Sequence, residues 1–345
     1  MFLSILLSGV RALLEYLSAH VLTCLIPAFF IAGAISSMVK KEVILKYFGP
    51  SANKFLSYSI ASVSGTVLAV CSCTILPLFS GIYTIGAGIG PATTFLYSGP
   101  AINLLAIIYS ARLLGIELGI ARAVGAVSFS IVIGLIMAAL FERKREKETQ
   151  EAKFSIVGDP HTSTKNPAIT LLFFADLVAI LIFGAWKKWW IVGALLVLLI
   201  IILKLWFTKE EILSWLSATW QFAVLILPWL FVGVFAAGII RDFLPPEVIR
   251  TWVGGNALGS NLIASVAGAL MYFATLTEVP ILRAFLDLGM GKGPALALLL
   301  AGPALSLPNM LVIRNVMGTA KAAVYIALVV CMSTFAGVIF GKFVF

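Results

Sequence analysis

The chain has 345 residues, of which 61% are hydrophobic and only 11% are charged. An ordinary soluble domain carries about 25% charged residues, so this composition excludes a soluble globular protein and predicts a polytopic membrane protein. The net charge of +9 is spread over short loops among acidic residues, which fits the positive-inside rule and not nucleic-acid binding.

Apolar runs approach the length of about 20 residues that a helix needs to cross a bilayer. They include residues 20–39, 117–141, 168–186, 189–207 and 319–341. We therefore predict an all-α multi-pass protein of the cell inner membrane with about ten to twelve membrane helical segments. Its expected partners are the lipid bilayer and a small-molecule substrate, with no nucleic acid, and a homo-oligomer is left open.

A single long polar segment, "ERKREKETQEAKFSIVGDPHTSTKNP", divides the chain. Its charges and its Gly, Pro, Ser and Thr residues are typical of an exposed linker. The predicted organisation is a first membrane repeat at 1–141, a polar cytoplasmic linker at 142–167, a central helical hairpin at 168–207 and a second membrane repeat at 208–345.

The two halves resemble each other in sequence. "GAGIGPATTFLYSGPA" at 86–101 matches "GMGKGPALALLLAGPA" at 289–304, and "ASVSG" at 61–65 matches "ASVAG" at 264–268 with the same offset. A match of this extent indicates an internal structural repeat.

Loop charges predict how the repeats are oriented. The loop at 40–54 contains four lysines, whereas its counterpart at 241–255 contains two arginines accompanied by two acidic residues. The first loop is therefore predicted to be cytoplasmic and its counterpart external, as expected for inverted repeats in a transporter.

Gly and Pro residues recur at matching places in the two halves and predict broken or re-entrant helices, because Pro removes an amide hydrogen and Gly permits strained turns. Broken backbone at membrane depth is tolerated where it is buried in protein or lines a cavity. Close helix packing through small residues is the alternative explanation. The residues expected to line the substrate path are Pro77, Gly99, Pro100, Pro280, Gly302 and Pro303.

The segment "VCSCTILP" places Cys71 and Cys73 next to Pro77. Thiolates are soft ligands and favour thiophilic species such as Cu(I), Zn(II) or trivalent arsenic, although two cysteines can also be ordinary packing residues. No cofactor or stable metal site is expected, since neither of the two histidines, His20 and His161, stands in a motif with a second ligand. The predicted substrate-binding residues are Cys71, Cys73, Thr74, Asn103, Thr277 and Asn309.

Glu278 lies in the apolar run "FATLTEVPIL" and corresponds to Ile75 of the first repeat. An ionised carboxylate at the bilayer centre costs on the order of 3 kcal/mol, so Glu278 is expected to face the protein interior. It is the predicted proton-coupling site, with Arg283 as its candidate ion partner and Asp287 also able to pair with Arg283 at i,i+4. A solvated Glu278 near the membrane surface is the alternative.

With "CSCTILPL", "SGPAINLLAI" and "GPALSLPNMLVIRN" in this order, the chain resembles the ArsP/YraQ group of predicted bacterial and archaeal permeases. The resemblance implies a multi-helix inner-membrane permease. Characterised ArsP-type members export trivalent organoarsenicals such as methylarsenite, and the thiol motif of the group matches Cys71 and Cys73.

The leading prediction is therefore an exporter of a small thiophilic solute and not an enzyme. The chain has no G-x-x-x-x-G-K-[ST] motif, which disfavours ATP hydrolysis and favours coupling to an ion gradient. Two alternatives stay open: a membrane thiol redox enzyme that uses Cys71 and Cys73 as a dithiol, and a transporter of an unrelated solute in which the cysteines only pack.

Overall fold

The structure is a computed structural model of the whole chain. It describes residues 10–11, 13–14, 17, 25–38, 47–48, 52–68, 72–102, 104–148, 167–185, 188–242, 252–271 and 278–343.

The described residues form fourteen helices. They are α1 (Ile26–Met38), α2 (Lys54–Leu68), α3 (Ser72–Ile85), α4 (Ile89–Ala101), α5 (Leu104–Leu113), α6 (Ile116–Glu148), α7 (Pro167–Ala185), α8 (Trp189–Trp206), α9 (Lys209–Asp242), α10 (Leu258–Leu270), α11 (Glu278–Asp287), α12 (Lys292–Ala301), α13 (Leu307–Met317) and α14 (Thr319–Phe343).

Four of these helices are long and apolar enough to cross a membrane: α8, α14 and the apolar parts of α6 (Ile116–Glu142) and α9 (Lys209–Phe235). A fifth span results if α4 and α5, which are bent by 45° where they meet, are counted together. The protein is thus an all-α polytopic membrane protein, as predicted. The remaining apolar helices are shorter, with apolar parts of 10–17 residues.

The internal repeat is visible in the backbone. Gly86 and Gly289 hold the same place in the two repeats and both adopt a positive φ, 120° and 101°. The turns they belong to have matching hydrogen bonds, from Gly86 N to Tyr83 O and from Gly289 N to Leu286 O. Because only glycine adopts this conformation at low cost, the repeated glycines produce the same turn twice.

Close glycine contacts also repeat. A Cβ added to Gly90 of α4 would lie 2.9 Å from the carbonyl oxygen of Gly134 of α6, and one added to Gly293 of α12 would lie 2.6 Å from that of Gly337 of α14. Glycine lets two helix backbones approach in this way where any side chain would separate them. Each repeat therefore packs its inner helix against its long helix at an equivalent crossing.

The long helix α6 shows that the repeats are inverted. Gly88, which precedes α4, packs against the Glu142 side chain near one end of α6. Its counterpart Gly291 precedes α12, where Lys292 forms an ion pair with Glu117 at the other end of α6, with Nζ 3.3 Å from Oε2. Residues 117 and 142 are separated by roughly 38 Å of helix. Equivalent turns thus lie at opposite ends of the bundle.

We call these ends the linker end, marked by Phe48, Gly88 and Glu142, and the far end, marked by Glu117, Val253 and Lys292. Phe48 belongs to the linker end because its carbonyl accepts a hydrogen bond from Gly88 N at 2.6 Å. Val253 belongs to the far end because its carbonyl accepts one from Gly291 N at 3.1 Å. Phe48 therefore shares its end with Glu142, the first residue of the predicted polar linker.

Two details differ from the sequence predictions. Pro77 does not break a helix, since α3 runs through it from Ser72 to Ile85. Proline removes one intrahelical hydrogen bond there, and burial of the surrounding side chains compensates. The segment predicted as linker begins as helix, because α6 continues to Glu148. Its Glu, Arg and Lys residues are good helix formers.

The other predicted breaks lie at helix ends. Pro280 occupies the first turn of α11, where a missing amide hydrogen is tolerated. Gly99 and Pro100 stand in the last turn of α4, and Gly302 caps the C-terminus of α12 with Pro303 after it. Gly99-Pro100 therefore separates α4 from α5, and Gly302-Pro303 separates α12 from α13.

The segments α7 and α8 pack against each other, and α7 also contacts α1. The division of the chain into two repeats, a linker and a central hairpin stays a prediction, since part of the linker lies outside the described residues.

Candidate functional site

Two short helices, α3 and α11, begin about halfway between the two ends of the bundle. Near the start of α3, Ile75 packs against Gly99, where an added Cβ would lie 2.5 Å from Ile75 Cδ1. Near the start of α11, Glu278 packs in the same way against Gly302, where an added Cβ would lie 2.8 Å from Glu278 Oε1. Gly99 lies roughly 16 Å along α4 from the turn at the linker end, and Gly302 lies equally far along α12 from the turn at the far end. Half-helices of this kind surround the substrate site of inverted-repeat transporters.

The centre of the bundle lies between α4 and α12. Tyr97 and Leu300 hold the same place in the two repeats, and the Tyr97 hydroxyl donates to the Leu300 carbonyl at 3.3 Å. Both residues are buried. A contact between equivalent positions marks the approximate twofold axis that relates the repeats.

An ion pair joins the two repeats at this centre. Arg122 of α6 places Nη2 3.4 Å from Oε2 of Glu278, the first residue of α11, and the two side chains are 0% and 1% exposed. Charged groups are rarely buried unless they are paired. The pair therefore explains why an arginine and a glutamate are tolerated inside an apolar bundle.

Other donors of the Arg122 guanidinium are only partly used. Nη1 donates to Ser110 Oγ at 2.8 Å, and Ser110 in turn donates to the Ala106 carbonyl at 2.7 Å. Arg122 Nε and Glu278 Oε1 make no hydrogen bond within the described part of the chain. Buried polar atoms are almost always bonded, so these two atoms indicate a place where another polar group can bind.

Hydroxyl groups surround the ion pair. Tyr97 is close enough to Arg122 and Tyr325 for electrostatic interaction, and Ser333 lies beside Tyr97. Tyr325 is the residue of the second repeat that corresponds to Arg122 of the first. Its hydroxyl makes no hydrogen bond among the described residues. Among the described residues, the centre therefore contains one cation, one carboxylate and several hydroxyls.

Not all predicted substrate-binding residues can be placed. Thr74 is buried in the first turn of α3, and Asn309 is buried in the first turn of α13 with its Oδ1 unbonded among the described residues. Cys73 belongs to α3, but its side chain is not described. Cys71, Asn103 and Thr277 lie outside the described residues, so their contacts stay predictions.

Arg283 is not the ion partner seen for Glu278. It extends from the exposed part of α11 and pairs with Asp287, with Nη2 3.1 Å from Oδ1, as the i,i+4 spacing allowed. Its Nη1 also donates to the Leu113 carbonyl at 3.4 Å. Glu278 and Arg283 are five residues apart, so their side chains point about 140° apart around the axis of α11.

Sequence reasoning missed Arg122, although a signal was present. An arginine inside the apolar run 117–141 should be treated as a candidate functional residue with a buried partner. Asp176 is a second missed residue of this kind: it is 4% exposed in α7, and neither carboxylate oxygen is bonded among the described residues.

Clefts open at both ends of the bundle. A cleft of about 750 Å³ at the far end is lined by residues that include Arg112, Glu117 and Lys292. A cleft of about 590 Å³ at the linker end is lined by residues that include Thr84, Trp229 and Asn315. One lining residue of each cleft, Arg112 at the far end and Asn315 at the linker end, holds the same place in the two repeats.

The described ranges contain no group of three or more His, Cys, Asp or Glu residues that could hold a metal ion. Cys331 is exposed on α14.

Comparison with known proteins supports a transport protein. Residues 6–342 match the family model ArsP_1, which is described as a predicted permease. The UPF0718 protein MJ0584 of Methanocaldococcus jannaschii is 47% identical, over 96% of this chain and 94% of the relative. The UPF0718 protein YraQ of Escherichia coli is 24% identical, over 83% of this chain and 67% of the relative. No solved structure gives a significant match.

Proposed function

Because the chain belongs to the ArsP_1 family of predicted permeases, we propose that it is an inner-membrane exporter of a small thiophilic solute, such as a trivalent organoarsenical, driven by the proton gradient. The observation that carries the proposal is the buried Arg122–Glu278 pair, which joins the two repeats at the N-terminus of the half-helix α11. Transport sites of inverted-repeat permeases are built in this way.

The thiol motif supplies the affinity for a thiophilic solute. Ile75 and Glu278 are equivalent residues and lie against equivalent glycines, so α3 and α11 both begin about halfway between the two ends of the bundle. Cys71 and Cys73 precede Ile75 by at most four positions. A soft solute held by these thiols would therefore be close to the centre of the bundle.

Glu278 supplies the coupling. A buried carboxylate at the centre of a permease can take up a proton when it faces one side and release it when it faces the other. Its contact with Arg122, which belongs to the other repeat, would make this proton depend on how the repeats are arranged. Arg283, in its exposed position on α11, would act on the path only from the far end.

Methylarsenite accumulation in everted membrane vesicles tests the proposal. Wild type should accumulate it, and Cys71→Ser/Cys73→Ser should reduce accumulation to background at equal protein levels. Cys331→Ser is the matched control because its thiol is exposed on α14, and it should behave as wild type.

Adding a protonophore to the same vesicles tests the coupling. Accumulation should fall to the level at which the solute has equal concentrations on the two sides of the membrane. Unchanged accumulation after collapse of the proton gradient would reject proton coupling, and equal accumulation by wild type and the double cysteine variant would reject the thiol site.

A further inference from the structure

We propose that Arg122 binds an anionic group of the transported solute, a carboxylate or a similar small oxyanion, and that this group replaces Glu278 on the guanidinium when Glu278 takes up a proton. The inference rests on the proposed function, because it assumes that the central ion pair belongs to the transport site. It adds a binding residue and a ligand chemistry that the thiol motif does not indicate.

The permanent charge of arginine is the first argument. A guanidinium is not deprotonated in proteins, and Arg122 is fully buried with Glu278 as its ion-pair partner in the described structure. A proton added to Glu278 alone would leave the cation without a counter-charge in an apolar bundle, which is strongly unfavourable. A monoanion that arrives together with the proton leaves the net charge of the centre unchanged.

The geometry of the pair is the second argument. Its Nη2–Oε2 contact of 3.4 Å lies beyond the 2.7–2.9 Å typical of charge-assisted hydrogen bonds, and Nε and Oε1 are unbonded among the described residues. Arginine binds carboxylates and other oxyanions through two parallel N–H donors. Arg122 therefore still has a donor to offer to an incoming oxyanion, and the existing contact is loose enough to be exchanged.

The surroundings are the third argument. The Tyr325 hydroxyl lies near Tyr97 at the centre and makes no hydrogen bond among the described residues, so it can donate one, whereas Ser110 and Tyr97 already donate to backbone carbonyls. The N-terminus of α11 lies at the same place and α3 begins at the equivalent place, with amide hydrogens that favour negative charge. Arg122 Nε, the Tyr325 hydroxyl and the N-terminus of α11 are therefore donors near the pair for an incoming oxyanion.

Two further titratable groups on the helices packed around the pair lie between the ends of the bundle: Tyr109, next to Ser110 on α5, and Cys331, exposed on α14. The other described charged and titratable groups lie towards the ends of the bundle, and at the far end they are Arg112, Glu117, Arg283, Asp287, Lys292 and Lys342. Towards the linker end they are Lys54, Tyr58, Glu142 and Lys321. Exchange at the centre is therefore expected to depend on Glu278, and acidic conditions should favour anion binding.

Transport of two matched probes by the full-length protein in proteoliposomes tests the proposal. The probes are 4-carboxyphenylarsonous acid and its uncharged analogue 4-carbamoylphenylarsonous acid, which differ by one anionic group. Wild type should transport the carboxylate on the order of tenfold faster, as one charge-assisted hydrogen bond allows. Arg122→Gln should lose this preference, and Arg122→Lys should restore part of it. Equal rates in wild type, or an unchanged preference in Arg122→Gln, would overturn the inference.

A second measurement does not depend on arsenicals. Thermal unfolding of the purified protein is followed with increasing sodium acetate, comparing Glu278→Gln with Arg122→Gln/Glu278→Gln. Acetate should raise the unfolding temperature of the single variant in a saturable way and leave the double variant unchanged. An identical response of the two variants would overturn the inference. If Glu278→Gln does not fold, wild type in acidic buffer is compared with Arg122→Gln under the same criterion.

The two measurements separate the proposals. Acetate binding at Arg122 without transport of either arsenical would reject the thiophilic substrate and support the anion site. Transport of both arsenicals at equal rates, with no acetate effect, would support the thiophilic substrate and reject the anion site.

Discussion

Arg122 and Glu278 face each other across the interface between two inverted repeats, with Nη2 3.4 Å from Oε2 and both side chains buried. Arg122 belongs to α6 of the first repeat and Glu278 to α11 of the second. Their counterparts in the other repeat are Tyr325 and Ile75, so the charges occur once while the surrounding framework occurs twice. This asymmetry gives a symmetric bundle one charged centre.

Removing the charge of Arg122 and removing the charge of Glu278 should destabilise the protein by different amounts. Breaking a buried ion pair costs about 3–5 kcal/mol when one charge is left unpaired. Glu278→Leu should be the more harmful variant, because Arg122 cannot lose its proton, whereas the carboxyl group left by Arg122→Met can become neutral. Unfolding in the same detergent measures the stability of both single variants, and the stability of the double variant should be close to that of wild type. Equal and additive losses would show that the pair does not interact.

Gly302→Ala should disturb the Glu278 carboxylate. The new Cβ would lie 2.8 Å from Glu278 Oε1 and 3.1 Å from the Leu298 carbonyl, so the side chain or the helix has to move. We expect a stability loss of about 1–3 kcal/mol and loss of pH dependence in transport. Gly193→Ala in α8 is the control, since no atom lies within 4 Å of its Cβ. A Gly302→Ala protein with a wild-type pH profile would contradict the prediction.

Gly289→Ala should lower stability through its backbone alone. No atom lies within 4 Å of the added Cβ, but φ is 101°, a conformation that costs other residues roughly 1–2 kcal/mol. Gly259→Ala in α10 has the same open surroundings without the positive φ and should be neutral or stabilising. Thermal unfolding of the two variants compares them directly, and equal midpoints would rule out strain in this turn.

Labelling from one side of the membrane should separate the two ends of the bundle. Glu117→Cys and Lys292→Cys should react with an impermeant maleimide from the same side, because these residues pair at 3.3 Å. Lys54→Cys should react from the opposite, cytoplasmic side. Labelling is measured in whole cells and in everted vesicles, with the background of the native cysteines subtracted. Reaction of all three from one side would contradict the inverted arrangement.

Much of the fold follows from local sequence features. The apolar composition predicts membrane helices, and the repeated Gly and Pro residues predict the turns at Gly86 and Gly289, because φ above zero is cheap only for glycine. Loop charges predicted that equivalent loops lie at opposite ends, and the contacts of Gly88 and Lys292 with α6 agree. Pro77 was misjudged, since a proline breaks a helix only where packing does not compensate for the lost hydrogen bond.

The sequence by itself determined that this protein crosses a membrane, that it contains two related halves and that Glu278 has to face the interior, because hydrocarbon tolerates neither unpaired charge nor unbonded backbone. Only the tertiary structure decided that Arg122 and not Arg283 pairs with Glu278. Arg283 is close in sequence but points elsewhere on its helix, whereas Arg122 is distant in sequence and reaches Glu278 through helix packing. Pairing between repeats depends on that packing, which no local pattern specifies.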